Sequence, residues 1–387
     1  MKQFSRKIEG ARDFELGIAR TSKVTYHCTA PPERGKGLLF VIPGFGEDAS
    51  ADYSQLLRRY LCGRYGLVVV TVGYHASQIR PPACKVDIDE SEIHRLIGYL
   101  AARNIRVNFE PGAFGQLLTE LNRLEIPAIV TAKLIPPNGD YQNFGVMQAI
   151  DHLSVLNDIL DSGLEFDRNN ILCLGSSHGA YIAHLIHKFA PNTINGIVDN
   201  SGYAIPVMKY LGGEPEYLHK VGHVTLACSA VTKWNLSGSY APEFFGPARF
   251  AIRDAMNQRH LAAVSAKAAR RCQFRMVNSY RDGISPIEVK QAQCRALQAN
   301  GFDAQLKIIR ESDLDGKVFK TLEHGMEASI GGLFDQYADS LAVRPTTLDR
   351  ELETSLTFEC YDYVYRIRHH KTAPYFDASC ERTWPAA

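Results

Sequence analysis

The chain has 387 residues, of which 45% are hydrophobic and 22% are charged, a composition that can support a sizeable buried core. Its 43 basic and 42 acidic residues leave a net charge of +1, so there is no electrostatic basis for binding nucleic acid or an anionic membrane. The longest apolar runs, at 38–42 and 67–72, are too short to span a bilayer, and the first residues contain no apolar stretch typical of a signal peptide. Nine cysteines without C-x-x-C spacing favour reduced thiols, so we expect a cytoplasmic protein.

Strand and helix patterns alternate along most of the chain, which predicts a mostly parallel sheet covered by helices on both faces. Short alternating runs at 14–19 and 23–28 are expected to enter this sheet as antiparallel strands. A buried strand at 37–42, a helix at 53–65 and a strand at 66–73 are predicted to follow.

Residues 80–140 interrupt this alternation. Helices are predicted at 87–104 and 112–124, with Pro111 in the loop between them. Because the segment is short and lacks the composition of a linker, we interpret it as a helical insertion rather than a separate domain. A strongly periodic helix at 142–160 then returns the chain to the sheet.

The sequence G-S-S-H-G at 175–179 lies between a buried strand at 171–174 and a helix at 180–189. In that setting, G-x-S-x-G is typical of a nucleophile elbow, a sharp turn that exposes one serine hydroxyl above the end of a sheet. Glycines are required because side chains two residues to either side of the serine would collide. Ser177 is therefore the candidate nucleophile, and a glycine-rich turn that only ends a core strand is the alternative.

A further strand is predicted at 194–200, and a long excursion follows it. This excursion contains an apolar run at 223–231 and a helix near 247–270. We expect residues 203–271 to form a cap over the serine.

The last two sheet strands are predicted at 273–278 and 305–309. The main domain is expected to cover residues 1–345, and residues 346–387 form a C-terminal extension. An alternating run at 356–367 within this extension favours an added edge strand.

A serine hydroxyl becomes nucleophilic when a histidine takes its proton, and a carboxylate must orient that histidine. In α/β-hydrolases the three groups occur in the order serine, acid, histidine. Asp282 and His324 follow the last two predicted strands in that order, so we interpret them as the acid and the base of Ser177. Asp199, at the end of the strand after the serine helix, remains an alternative for the acid.

Attack on a carbonyl places negative charge on its oxygen, which backbone N–H groups must stabilise. The candidate donors are the N–H groups of His178, directly after the nucleophile, and of Phe45, in the glycine-containing turn after the first buried strand. Tyr74, His75 and Trp234 are candidate substrate contacts, and packing within the core or cap explains them equally well.

Two other patterns favour neither a metal nor a cofactor. His184 and His187 lie on one predicted helix, and without a third ligand in view we expect them to face solvent. The sequence Gly-Phe-Gly at 44–46 lacks the further glycine of a dinucleotide-binding fingerprint.

The elbow, the Pro-Gly-Phe-Gly turn and the ordered acid and histidine make residues 13–340 resemble the α/β-hydrolase superfamily. More narrowly, the chain is similar to a poorly characterised bacterial family whose members are often encoded near flagellar or surface-glycan modification genes. The similar segments are Tyr-Gln-Asn-Phe-Gly at 141–145, Ala-Ile-Asp-His at 149–152 and Val-Asp-Asn-Ser-Gly-Tyr-Ala-Ile-Pro at 198–206. This resemblance implies an esterase-like or acyl-transferring enzyme that acts around sugar modification.

The first hypothesis is a serine hydrolase that cleaves a carboxylic ester, an O-acyl group on a sugar or small metabolite, through an acyl-enzyme on Ser177. The alternatives are an O-acyltransferase with the same triad and a non-catalytic binding protein that kept the fold. The expected partner is a small-molecule or glycan ester, and no nucleic acid, cofactor or metal is expected. A homodimer is compatible with the sequence.

Overall fold

Runs rich in Val, Ile and Leu form the central strands, as expected for segments that are buried on both faces of a sheet. The computed structural model describes residues 1–105, 114–238, 241–269, 272–341 and 347–383. In chain order the strands are β1 (Lys2–Glu9), β2 (Lys23–Ala30), β3 (Leu38–Ile42), β4 (Val68–Gly73), β5 (Lys85–Asp87), β6 (Ala128–Ile135), β7 (Ile171–Ser176), β8 (Gly196–Asn200), β9 (Tyr217–Val221), β10 (Val224–Ala230), β11 (Gln273–Ser279), β12 (Asp303–Ile309), β13 (Ser355–Cys360), β14 (Tyr363–His369) and β15 (Phe376–Arg382).

The helices occupy the connections between these strands, as the 3.6-residue periodicity predicts. In chain order they are α1 (Asp52–Tyr65), α2 (Glu90–Ala101), α3 (Phe114–Arg123), α4 (Val146–Asp161), α5 (His178–Phe189), α6 (Met208–Leu211), α7 (Pro247–Arg253), α8 (Gln258–Lys267), α9 (Ile287–Ala299), α10 (Ile330–Tyr337) and α11 (Asp349–Leu352). No helix in the described residues is both long and apolar enough to cross a membrane.

Eight strands form the central sheet in the order β1-β2-β4-β3-β7-β8-β11-β12. The β1–β2 and β2–β4 pairs are antiparallel, and every pair from β4 to β12 is parallel. Alternate residues of β3 face two hydrophobic clusters, Phe40 with α4 and α5, and Leu39 and Val41 with α1 and α10. Helices therefore cover both faces, and the sheet has the predicted α/β-hydrolase fold.

Parallel strands all present their carboxyl ends at one edge of a sheet, which is where open α/β sheets bind ligands. The loops after β3, β7, β8, β11 and β12 therefore leave the sheet on the same side. They carry, in that order, Phe45, Ser177, Tyr203, Asp282 and His324.

The N-terminal entry to the sheet differs from the prediction. The prediction of a strand at 14–19 is wrong, because this segment forms a turn. Asp13 Oδ1 accepts the N–H groups of Glu15 and Leu16 there, at 2.9 and 3.0 Å. On the side of β2 away from β4, the neighbouring strand is β1, whose side chains are mostly exposed and give little hydrophobic signal.

The predicted insertion at 80–140 and the predicted cap at 203–271 share one small sheet. β5 and β6 come from the insertion and β9 and β10 from the cap, in the order β5-β6-β10-β9. Leu117 and Leu121 of α3 lie in a hydrophobic cluster with Val130, on β6. The predicted helices are present as α2 and α3, but the insertion also contributes two strands, which the prediction of a helical insertion did not include.

The strand β6 illustrates why this sheet escapes local prediction. Its residues alternate between buried and exposed positions. The strand that pairs with it in parallel is β10, about a hundred residues later in the chain, so local sequence does not reveal the partner. Pro111, in the predicted insertion, and residue 271, at the predicted end of the cap, lie outside the described residues.

The C-terminal strands form a sheet of their own. In this sheet β14 pairs antiparallel with both β13 and β15. The prediction that the extension adds an edge strand to the central sheet is therefore wrong. Tyr361, with φ of 55°, lies in the turn that folds β14 back on β13, and Phe358 and Tyr365 are buried in the main hydrophobic cluster. The predicted boundary between residues 345 and 346 lies outside the described residues.

His184 and His187 of α5 are buried, which corrects the expectation that they face solvent. His184 Nε2 lies 2.7 Å from Asp199 Oδ2. His187 packs between the rings of Phe274 and Phe302, at 5.2 and 5.3 Å, and neither of its ring nitrogens has a hydrogen-bond partner in the described chain. The helix is enclosed by α4, α8 and the sheet, which sequence periodicity alone does not reveal.

Replacing His187 by Leu is expected to stabilise the protein in acid. Burial lowers the pKa of His187 to about 3, with a smaller contribution from His184. Between that pKa and the ordinary value near 6.5, the unfolded chain binds one more proton, so the native state loses stability as the pH falls. Urea unfolding measures the difference in free energy of unfolding between His187→Leu and wild type. This difference should be about 2–3 kcal/mol more favourable to the variant at pH 4.5 than at pH 7.

Replacing the exposed His94 of α2 by Leu provides the control for this measurement, since its side chain is 72% exposed. The change in unfolding free energy with pH should be larger in the His187 variant than in this control. An equal gain at both pH values in the His187 variant would contradict a depressed pKa at that position.

Candidate active site

Ser177 occupies a strained turn between β7 and α5. Its backbone has φ of 53° and ψ of −121°, a conformation that a residue with a side chain rarely adopts. Its carbonyl oxygen accepts the N–H groups of Ala180 and Tyr181, at 3.1 and 3.2 Å, which begins the helix immediately. This turn is the geometry expected of a nucleophile elbow.

The two glycines of the motif are required by close backbone packing. A Cβ atom at Gly179 would collide with the carbonyl oxygens of Ile42 and Pro43, and one at Gly175 would collide with the backbone of Ala180. Because Gly179 has no side chain, the elbow lies directly against the end of β3 and the turn that follows it.

The structure brings Ser177, His324 and Asp282 together in one hydrogen-bonded chain. Ser177 Oγ lies 2.6 Å from His324 Nε2, and His324 Nδ1 lies 2.9 Å from both carboxylate oxygens of Asp282. Nδ1 is thereby oriented toward an acceptor, which leaves Nε2 directed at the serine hydroxyl. The side chain of His324 is 18% exposed, so solvent reaches this hydrogen-bonded triad at the histidine.

Asp282 is held as an ionised carboxylate. Burial would raise its pKa, but the His324 ring and the amides of Ser285 and Ile284 lower it below its ordinary value. Its Oδ1 accepts these two amides at 2.7 and 2.9 Å. Hydrogen bonds within the local turn therefore orient the Asp282 carboxylate independently of its contact with His324.

Asp199, the alternative acid, makes other contacts. Its Oδ2 lies 2.5 Å from Lys290 Nζ and 2.7 Å from His184 Nε2, and its Oδ1 accepts the N–H of Gly202 at 2.7 Å. Burial raises the pKa of Asp199, but Lys290 and His184 lower it further than burial raises it. Asp199 therefore belongs to a buried ion cluster, and its hydrogen bonds within the described structure do not reach His324.

Replacing Lys290 by Met is expected to lower the free energy of unfolding by about 3–5 kcal/mol, because it leaves the buried Asp199 carboxylate without its main countercharge. Lys290 also donates to the carbonyl of Gly202 at 2.8 Å, so its loss should loosen the loop that carries Tyr203. Urea unfolding at pH 7 tests this against Lys317→Met, which removes an exposed lysine. Equal stability of the two variants would contradict the assignment of a stabilising buried pair.

Two candidate oxyanion donors flank Ser177. Gly44, in the turn after β3, lies beside the Ser177 side chain, and the next residue, Phe45, packs its ring against that of His178, with 6.2 Å between centroids. Among the described residues, the N–H groups of Phe45 and His178 have no protein acceptor. Glu47 instead accepts the N–H of Gly44 at 3.0 Å, which braces the turn.

Tyr203 is a site residue that the sequence reasoning missed. Its hydroxyl lies 3.2 Å from Ser177 Oγ, and its ring stacks on that of His324, with 6.0 Å between centroids and an interplanar angle of 20°. Burial raises the pKa of Tyr203, so its phenol remains a neutral hydrogen-bond donor. The available signal is the position of Tyr203 shortly after β8, at the first residue of the predicted cap.

Three candidate substrate residues make mainly structural contacts. The hydroxyl of Tyr74 lies 3.4 Å from the carbonyl oxygen of Pro43, and His75 Nδ1 lies 3.2 Å from Asp140. Trp234 packs against Phe245, with 5.6 Å between ring centroids. In the described structure none of the three hydrogen-bonds to Ser177. Contact with a substrate therefore stays a prediction for all of them.

No group of three or more His, Cys, Asp or Glu side chains is arranged to hold a metal ion within the part of the chain that the structure describes. The groups that converge on Ser177 are instead a base, a carboxylate, a phenol and backbone amides. This set is suited to attack on a carbonyl group by the serine hydroxyl.

Similar architectures occur among solved structures. A puromycin-hydrolyzing peptidase of Mycobacterium tuberculosis aligns with 89% of this chain and 40% of its own, at 13% identity and a TM-score of 0.47. The acylaminoacyl peptidase of Pyrococcus horikoshii aligns with 80% of this chain and 37% of its own, at 11% identity and a TM-score of 0.44. Est1E of Butyrivibrio proteoclasticus, with ferulic acid bound, aligns with 82% of this chain and 95% of its own, at 11% identity and a TM-score of 0.43.

This chain thus spans about 40% of the length of the two peptidases. No curated protein matches its sequence. Residues 4–373 match the model of a family described as "Protein of unknown function (DUF2920)". The chain belongs to this family.

Proposed function

We propose that this protein is a serine hydrolase that cleaves a carboxylic ester through an acyl-enzyme on Ser177. The observation that carries the proposal is the hydrogen-bonded chain from Ser177 through His324 to Asp282, built on a strained elbow. A turn that only ended a strand would need neither a serine with positive φ nor a histidine 2.6 Å from its hydroxyl.

In the proposed acylation step, His324 Nε2 takes the proton of Ser177 as Oγ bonds to the ester carbonyl carbon. The carbonyl electron pair moves onto oxygen, where the N–H groups of Phe45 and His178 stabilise the charge. The bond from carbon to the alcohol oxygen then breaks, and His324 gives its proton to the departing alcohol. Asp282 stays ionised throughout and stabilises the imidazolium.

Deacylation repeats the same chemistry with water. His324 takes a proton from the water as its oxygen attacks the acyl-enzyme, and Ser177 leaves with the proton that His324 returns. The carboxylic acid product departs. An O-acyltransferase would differ only in the nucleophile of this step, a sugar hydroxyl in place of water.

The proposed substrate is an O-acyl group on a sugar or small metabolite. This substrate class is supported by the similarity of residues 141–145, 149–152 and 198–206 to the bacterial family described above. Because the only difference between hydrolysis and transfer is the acceptor, the acceptor is what an experiment must vary.

Labelling with a fluorophosphonate probe tests the proposal. The purified protein should gain one adduct, mapped by peptide mass spectrometry to Ser177, and should release p-nitrophenol from p-nitrophenyl acetate. A folded wild-type protein that is neither labelled nor active would overturn the proposal and favour a non-catalytic binding protein. Adding a sugar acceptor distinguishes the two enzymes, since a transferase forms an acetylated sugar in preference to acetate.

A further inference from the structure

Tyr203 contacts the reacting atom of the proposed nucleophile, and the mechanism above gives its hydroxyl group no role. Its phenol oxygen lies 3.2 Å from Ser177 Oγ, and the residue is buried. Its ring packs against three other rings, each at 6.0 Å between centroids, those of His178, Tyr181 and His324. A phenylalanine would make these ring contacts equally well, so the hydroxyl group requires an explanation of its own.

The hydrogen bond between Tyr203 and Ser177 has a fixed direction. His324 Nδ1 faces both carboxylate oxygens of Asp282 at 2.9 Å, so the ring hydrogen lies on Nδ1 and Nε2 is an acceptor. Ser177 therefore donates its hydroxyl hydrogen to Nε2, across 2.6 Å. The phenol must then be the donor in its contact with Ser177 Oγ. Because burial raises the pKa of Tyr203, this donor keeps its hydrogen at neutral pH.

The loop that carries Tyr203 is fixed at the two residues before it. The carbonyl oxygen of Gly202 accepts the ammonium group of the buried Lys290 at 2.8 Å. Ser201 Oγ accepts the N–H of Gly325, the residue after the proposed base, at 3.2 Å. A hydrogen-bond donor that is held in place before the reaction begins can stabilise developing charge without reorganisation.

This hydrogen bond has different consequences in the two half-reactions. In acylation, the free Oγ already accepts the phenol hydrogen before attack, so its stabilisation is largely common to the ground state and the transition state and cancels. In the acyl-enzyme, Oγ is the alkoxy oxygen of an ester and is a poor acceptor, because its lone pairs are delocalised toward the carbonyl group. As the bond from carbon to Oγ breaks, negative charge gathers on Oγ and the hydrogen bond strengthens. The phenol therefore lowers the barrier to deacylation more than the barrier to acylation.

We propose that Tyr203 is a catalytic residue of deacylation, which donates a hydrogen bond to Ser177 Oγ as this oxygen leaves the acyl carbon. This inference rests on the proposed function, since it adds a group to the same site. The electron pair of the breaking bond goes to Oγ, and His324 Nε2 supplies the proton that Oγ takes up. Tyr203 keeps its own proton throughout.

Tyr203→Phe tests the proposal, because it removes the donor and keeps the ring contacts. With p-nitrophenyl acetate, kcat/KM reports acylation. The fraction of acetyl-enzyme at saturating substrate, trapped by acid and measured by intact-mass spectrometry, converts kcat into the rate constant of deacylation. That rate constant should fall roughly tenfold to a hundredfold, the scale of a hydrogen bond to a charged group, with kcat/KM within about threefold of wild type. The acetylated fraction should rise accordingly.

Tyr181→Phe is the matched control. Tyr181 is also buried and packs its ring on that of Tyr203, but its hydroxyl group donates to the carbonyl oxygen of Arg253 at 2.8 Å. Loss of this hydroxyl group should lower stability and leave both kcat/KM and the rate constant of deacylation within about threefold of wild type.

Circular dichroism and labelling by the fluorophosphonate show that each variant is folded. If Tyr203→Phe leaves the rate constant of deacylation unchanged, or slows acylation as much as deacylation, the role in deacylation is overturned while the hydrolase stands. If the wild type neither forms an acetyl-enzyme nor releases p-nitrophenol, the proposed function itself fails.

Discussion

Replacing Ser177 by Ala is expected to abolish ester hydrolysis, lowering kcat by roughly 10⁶-fold, the scale of losses seen when a triad nucleophile is removed. The loss should be this large because Ser177 supplies the hydroxyl that lies 2.6 Å from His324 Nε2, whereas the neighbouring Ser176 hydroxyl contacts Asn200. Alanine retains the Cβ atom, so the strained turn and the packing of the glycines around it should persist. The measurement is the steady-state rate on p-nitrophenyl acetate, together with the loss of the fluorophosphonate adduct.

Ser176→Ala is the matched control for this prediction. Ser176 lies one residue earlier in the motif, and its hydroxyl accepts from Asn200 Nδ2 at 3.1 Å instead of approaching His324. It should remain labelled and active within about tenfold of wild type, the scale of one lost neutral hydrogen bond. Full activity in the Ser177 variant, or loss only in the Ser176 variant, would show that the elbow has been assigned to the wrong serine.

Replacing Asp282 by Asn is expected to lower kcat by roughly 10⁴-fold, as for other triads whose acid is made neutral. An amide cannot stabilise the imidazolium by charge, and its NH₂ group favours the tautomer of His324 that points a proton at Ser177. The chain should stay folded, since Asn can still accept the amides of Ile284 and Ser285. The measurement is kcat at pH 7, with fluorophosphonate labelling expected to slow in parallel.

Asp52→Asn, which alters an exposed carboxylate in the first turn of α1, is the control and should be fully active. Asp199→Asn provides the sharper comparison. It should lower stability through Lys290 and His184 more than it lowers the kcat of the folded fraction. The opposite pattern, with Asp282→Asn active and folded Asp199→Asn inactive, would transfer the acid role to Asp199.

Local patterns in the sequence were sufficient for several conclusions. The buried strands, the connecting helices and the glycines around Ser177 are short-range features, because each depends on a few neighbouring residues and on the steric limits of the backbone. Together with the alternation of strands and helices and the order of serine, acid and histidine along the chain, they predicted the α/β-hydrolase fold. They also selected Asp282 and His324 as candidates, since both follow strands that end at the same edge of the sheet.

Tertiary structure decided what depends on partners distant in the chain. Parallel pairing of β6 with β10 joined the insertion and the cap into one sheet, and three C-terminal strands paired with one another rather than with the central sheet. Enclosure by neighbouring elements buried His184 and His187, and contact distances showed that Asp282, not Asp199, touches His324.

The same distinction applies to the groups around Ser177. Its own strained turn is determined by the sequence, because only glycine fits at Gly179 against the end of β3. Tyr203 lies in no recognised motif, and its relevance arises from the 3.2 Å contact between its hydroxyl and Ser177 Oγ. The sequence by itself determined the backbone that presents the nucleophile, and only the folded chain decided which side chains surround it, because burial and contact are properties of residues that the fold brings together.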